Sequence, residues 1–260
     1  MARKRVVTLA LIGLLAGFFS GMFGVGGGII LVPLMVGLLG FSQRLASGTS
    51  LAAILPTAVA GLIGYTLNGS VDWVAGACLA VGAVAGSLIG TWLLHIIPQR
   101  ALRWAFIAFL VVVAVRMFFL VPDRSAELEF SPFVVLALVL VGLLVGILSG
   151  LLGIGGGVVV VPALMVFFGA SDLIAKGSSL LMMIPTSITG TIANARRDNV
   201  DLRAAAVMGA LAVPASFGGV AVAVIMPAQL GSILFALLLL YSISQLLFKA
   251  LKERRKPDAA

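Results

Sequence analysis

Two short stretches carry the residues of this chain best placed to do chemistry. "GVGGGIILVP", Gly24 to Pro33, and "GIGGGVVVVP", Gly153 to Pro162, each set four glycines ahead of an apolar run. Glycine weakens helices, so such clusters inside apolar sequence need a reason. Backbone that turns within a bilayer survives only against protein or a watery cavity. Glycine permits positive φ and close backbone approach, so successive N–H groups can converge into a nest for an anion. The helix after each turn adds the partial positive charge of its N-terminus. Gly24, Gly26, Gly27 and Gly28, with Gly153, Gly155, Gly156 and Gly157, are therefore candidate substrate contacts. Two such turns, meeting near mid-membrane, would form a small, dry site lined with donors for a compact anion. The competing reading is close helix packing through small residues. That reading suits Gly13, Gly17 and Gly21, and likewise Gly142, Gly146 and Gly150. It suits the triple glycines less, because adjacent residues cannot all face one neighbouring helix. A nucleotide fingerprint is not met: Ile29 stands where a third glycine is needed, with no βαβ context.

A second pair of stretches, "SGTS" at Ser47 to Ser50 and "KGSS" at Lys176 to Ser179, offers hydroxyls and N–H groups ahead of apolar helices. Capping accounts for Ser47. Thr49, Ser50, Ser178 and Ser179 fall deeper and are candidate ligand donors. Lys176 either draws anions to the outer mouth or snorkels at the interface. Asn194, inside "TIANARRDN", lines the pathway or bonds a neighbouring helix. Asp72 and Asp201, just before helices, read as caps rather than proton relays. His95 is the single histidine and Cys78 the single cysteine, so a metal site built on imidazole or thiolate is not expected. No cofactor is implied. The interior lacks the His/Asp/Glu cluster an intramembrane enzyme needs, so no catalytic residue is assigned.

The elements that must hold these residues are membrane helices. The 260 residues are 62% hydrophobic and 10% charged, against about a quarter charged in soluble domains. Long charge-free stretches read as bilayer spans. The net charge of +8 reflects basic residues at segment ends, a topology signal rather than a nucleic-acid footprint. The start, "MARKRVVTLALIGLLAGFF", mimics a signal peptide, but its apolar core recurs internally and reads as a structural helix. One gapless shift places Gly13 on Gly142, "ASGTSLAAILPT" on "AKGSSLLMMIPT", and Pro98 on Pro227. The chain is thus an all-α integral membrane protein made of two homologous halves. Residues 1–120 form the first repeat, 121–131 an acidic linker, 132–249 the second repeat and 250–260 a basic tail. Each half shows four apolar blocks: roughly 6–40, 46–66, 72–94 and 101–120, then 132–170, 175–195, 203–225 and 230–248. The leading blocks are longer than one crossing of about 20 residues. If each goes in and comes back, as a re-entrant or broken segment, most arginines and lysines fall on the cytoplasmic side with both termini. If it crosses once, Arg44, Arg100 and Arg103 move outside and the bias weakens. The first arrangement is favoured, and it makes the halves an inverted-topology repeat.

The doubled series of "GxGGG", a proline four to five residues on, "A-x-G-[TS]-S" and "x-V-D-[WL]" resembles the TauE/SafE family of sulfite exporters, within the toluene-sulfonate uptake permease group. The resemblance spans roughly 10–245 and maps onto Gly24, Gly26–Gly28, Pro33, Gly48, Thr49 and Ser50, and onto Gly153, Gly155–Gly157, Pro162, Gly177, Ser178 and Ser179. It departs at Lys176, which replaces the small residue present at Ser47. The resemblance implies a permease for sulfur oxyanions or organosulfur compounds such as sulfite or a sulfonate. The expectation is a secondary transporter of a small anion, working by alternating access in a bacterial cytoplasmic membrane. An anion channel, a membrane scaffold or an intramembrane enzyme are the alternatives. The partners expected are the anion and the bilayer, without nucleic acid, and homo-oligomerisation is left open.

Overall fold

The computed structural model describes residues 3–93, 130–152 and 155–254, with Trp104, Ile107, Ala108, Val111, Val112, Ala114 and Val115 between them. The block at 101–120 and the linker at 121–131 thus lie largely outside the described residues. Nine helices are described: α1 (Arg3–Phe23), α2 (Gly28–Leu39), α3 (Gln43–Leu67), α4 (Trp73–Leu93), α5 (Pro132–Leu152), α6 (Gly157–Phe167), α7 (Asp172–Ala195), α8 (Leu202–Ile225) and α9 (Ala228–Arg254). The last continues into the basic tail. Six are long and apolar enough to cross a bilayer: α1, α3, α4, α5, α8 and α9. The chain is an all-helical, multi-pass membrane protein.

Each leading block is broken rather than continuous. The first gives the 21-residue α1 and the 12-residue α2; the second gives α5 and the 11-residue α6. At 1.5 Å per residue the short helices reach about 16–18 Å, little over half the hydrocarbon thickness of about 30 Å. The first block comes back to the side it left: the Arg5 guanidinium stands 5.4 Å over the Phe41 ring just beyond α2, and also reaches Asp201 at 3.3 Å.

Glycine spacing decides which helices pair. A Cβ on Gly13, Gly17 or Gly21 would run into the backbone of Met208, Ala212 or Ser216, so α1 lies directly along α8. Gly142, Gly146 and Gly150 meet Leu79, Ala83 and Ser87 in the same way, which lays α5 along α4. In both pairs numbers rise together, so partners run parallel. Without side chains at the crossing, backbones approach closely and dispersion replaces the hydrophobic drive that lipid cannot supply. The shift that aligns the sequences also carries one set of contacts onto the other. α1 and α5, equivalent under the repeat, therefore each pack on a helix of the other half.

Between these pairs lie α3 and α7, touching from Gly190 on Leu51 to Gly177 on Tyr65. Their numbers run oppositely, so the two cross the centre antiparallel. Ile54 and Met183, equivalent under the repeat, stand at their midpoints. The outer faces carry apolar side chains at helical spacing, such as Phe133, Leu136, Leu140 and Leu144 on α5, as a lipid-facing surface must.

Candidate functional site

The glycine turns adopt the backbone that only glycine accepts readily. Gly24, Gly26 and Gly27 have φ of 69°, 70° and 72°, and Gly155 and Gly156 have 84° and 80°. A side chain in this left-handed region costs roughly 1–2 kcal/mol per residue. Gly27 and Gly156 then serve as N-caps of α2 and α6, with no side chain capping either start. Their carbonyls accept from Ile30 and Leu31 in one half, and from Val159 and Val160 in the other. The amides of Gly28 and Ile29, and of Gly157 and Val158, find no acceptor among the described residues. All four residues are buried. Gly153 lies outside the described residues.

The two turns touch each other. A Cβ on Gly157 would fall 2.7 Å from Gly24 O and 2.8 Å from Val25 Cα. The small gap the glycines leave is filled by Met183 and Ile54. The Met183 methyl sits where side chains on Gly26 or Gly155 would be, and Ile54 lies 3.1 Å from both positions. Because Ile54 and Met183 mark the middle of α3 and α7, the paired turns lie at mid-depth. Two helix starts without side-chain caps thus come together in a buried interior, where amide donors act most strongly on negative charge.

The hydroxyl stretches sit differently from the sequence expectation. Both lie inside helices, not ahead of them, because Ser42 and Ser171 are the N-caps, accepting from Leu45 and Ile174. Their N–H groups are consequently not offered at a helix start. Ser179 Oγ lies 2.6 Å from Gly24 O and 2.7 Å from Lys176 O, tying α7 to the first turn. Ser50 Oγ donates to Ser47 O at 2.8 Å. Thr49 and Ser178 act as acceptors across the halves. Thr49 Oγ1 receives the Asp201 amide, and Ser178 Oγ receives the Asp72 amide, both at 3.0 Å. These are one contact made twice under the repeat. Asp72 and Asp201 are caps, their Oδ1 atoms accepting from Ala75 and Ala204 at 2.9 Å.

Lys176 neither snorkels nor stands at an open mouth. Its side chain is 3% exposed, and Nζ lies 2.9 Å from Asp172 Oδ2 in a buried i,i+4 pair. Burying an ammonium demands such a partner. Asn194 bonds its own helix, Nδ2 donating to Gly190 O at 2.8 Å. It lies eleven residues beyond Met183, about 16 Å along α7. Three buried hydroxyls, those of Ser20, Ser187 and Thr191, have no hydrogen-bond partner among the described residues. Ser187 and Thr191 follow Met183 at four-residue steps on one face of α7, where the first half has Ala58 and Leu62. No group of three His, Cys, Asp or Glu able to hold a metal occurs among the described residues.

The sequence reading missed Ile54, Met183, Ser187 and the Asp172–Lys176 pair. The pair had a visible signal, opposite charges four residues apart on one helix. Ile54 and Met183 had a weaker one: they are equivalent positions midway along the helices that follow each glycine turn. Nothing in the sequence distinguished Ser187 from the neighbouring hydroxyls of α7.

Broken helices meeting glycine to glycine between two exchanged sets of spanning helices define a polytopic protein of transporter build. The comparisons narrow this. The family model described as sulfite exporter TauE/SafE matches residues 1–117 and 138–260. The chain is 26% identical over 211 residues to the probable membrane transporter protein YunE of Bacillus subtilis, covering 72% of this chain and 77% of that one. It is 32% identical over 192 residues to a probable membrane transporter protein of Xylella fastidiosa, covering 72% and 73%. No solved structure matches. This chain belongs to the TauE/SafE family.

Proposed function

We propose that this protein is a secondary transporter that moves a small anion, of the sulfite or sulfonate class, across the cytoplasmic membrane by alternating access. The observation that carries the reading is the meeting of two helix starts without side-chain caps, with buried amides of Gly28, Ile29, Gly157 and Val158 that find no acceptor among the described residues. Orphan buried donors are costly unless something accepts from them, and a compact anion accepts from several at once. The binding set is Gly24, Gly26, Gly27 and Gly28 with Gly153, Gly155, Gly156 and Gly157. Ser179 reaches it directly, its Oγ 2.6 Å from Gly24 O, and Thr49, Ser50 and Ser178 complete the polar set on α3 and α7. Ser187 and Thr191, whose hydroxyls have no partner among the described residues, continue the polar route along α7 toward Asn194.

The halves act as an inverted-topology repeat about an axis in the membrane plane. The exchanged glycine contacts and the antiparallel crossing of α3 and α7 support this. Such symmetry provides two states of equal architecture that open to opposite sides. Both termini are cytoplasmic, in keeping with the basic residues at Arg3, Lys4, Arg5 and in the tail. The centre, closed by Ile54 and Met183, suits a carrier better than an open channel. Flux of sulfite into proteoliposomes tests the reading. Saturable uptake, slowed when Gly26–Gly28 and Gly155–Gly157 become alanine, is the expected result. Flux unchanged by all six substitutions overturns the site, and currents far above carrier rates overturn the mechanism.

A further inference from the structure

We propose that Ile54 and Met183 form the constriction of the transport path, and that the Met183 side chain is its movable part and sets which anion passes. The inference rests on the transporter reading above and goes beyond it by assigning selectivity to two apolar residues. Both are fully buried at the centre of the molecule. They are equivalent under the repeat, and both touch both turns: Ile54 lies 3.1 Å from the Cβ positions of Gly26 and of Gly155, and the Met183 methyl occupies the space at each. Met183 Sδ is also 2.9 Å from the Cβ position of Gly157. An anion entering the space beside Gly26, Gly155 and Gly157 must therefore displace atoms of this pair. The glycines are small enough to admit a ligand, yet in this structure the space they yield holds a thioether.

The two residues are unequal as barriers. Isoleucine is branched at Cβ and confined at χ1. Methionine is unbranched, with three rotatable bonds, and readily repacks. The energetic resistance to opening is thus lower on the α7 side, and Met183 is the part that swings. Its partner on α3 forms a fixed wall. When Met183 lies inward, apolar atoms cover the orphan amides and keep water and stray ions from crossing. The room available when it lies outward decides how large a group on the anion is tolerated.

The test compares uptake of sulfite and of benzenesulfonate in proteoliposomes carrying the full chain. Met183→Ala should raise the benzenesulfonate-to-sulfite ratio about tenfold or more, the scale on which a lost methylene changes discrimination in an apolar pocket. Met183→Ile keeps the bulk but stiffens it, so it should slow sulfite uptake without raising the ratio, and it serves if the alanine variant does not fold. A ratio unchanged in Met183→Ala while sulfite uptake persists overturns the proposal, as does Met183→Ile transporting sulfite at the unsubstituted rate. Absence of sulfite and benzenesulfonate uptake by the unsubstituted protein overturns the transporter reading itself, and the constriction with it.

Discussion

Removing the Thr49 hydroxyl should loosen one end of the molecule and leave the other unchanged. Thr49 is fully buried, and its Oγ1 is the acceptor for the Asp201 amide at the head of α8. Thr49→Val keeps the shape and deletes that acceptor. A buried amide left without a partner costs about 1–3 kcal/mol. If the cost is confined to the loop before α8, the amide opens about 5- to 160-fold more often at 25 °C. Ser178→Ala makes the equivalent deletion for the Asp72 amide at the head of α4. Deuterium exchange read on peptides covering 198–203 and 69–74, in nanodiscs, separates the two. Thr49→Val should accelerate only the first peptide and Ser178→Ala only the second. Equal acceleration of both peptides in either variant would mean global destabilisation, and no change in either would mean the cross-half bonds do not hold the loops. Either result refutes the reasoning.

Other substitutions probe single features. Gly27→Ala should destabilise the protein by about 1–2 kcal/mol from its left-handed backbone alone, read as a lower Tm. Gly37→Ala, in exposed helix with open space around it, should stabilise by about 0.5–1 kcal/mol in the same assay. Lys176→Met leaves Asp172 buried beside an apolar group and should cost about 3–5 kcal/mol; adding Asp172→Leu should recover much of that, and thermal unfolding of the three variants checks it. Arg5→Ala breaks a half-exposed ion pair and should shift stability by less than about 1 kcal/mol, with the difference vanishing at high salt.

The glycine turns were legible because they obey a local rule. Gly26, Gly27, Gly155 and Gly156 have positive φ, which glycine alone accepts readily, so a cluster of glycines in apolar sequence announces a turn in advance. The four-residue glycine ladders were legible for a similar reason, since a missing Cβ matters only where a backbone comes close. What the sequence hid was placement across the halves. Thr49 and Ser178 are hydroxyls in apolar sequence on any reading; that each accepts from the opposite half's aspartate amide depends on how α3 and α7 cross. The helix starts were misplaced because Ser42 and Ser171 outcompete the later serines as caps. Lys176 looked interfacial because lysines in membrane proteins usually reach water, whereas Asp172 one turn earlier holds it inside. Ile54 and Met183 carry no chemical signal at all, and only their position gives them meaning.

The central claim is that the amides at the starts of α2 and α6 hold an anion between them. Anomalous diffraction from crystals grown with selenite, a heavier analogue of sulfite, tests this directly. A selenium peak is expected within hydrogen-bonding distance of the Gly28 and Gly157 amides, with the Met183 methyl displaced from between the turns. A peak bound elsewhere, with Met183 and Ile54 still closing the gap, would contradict it.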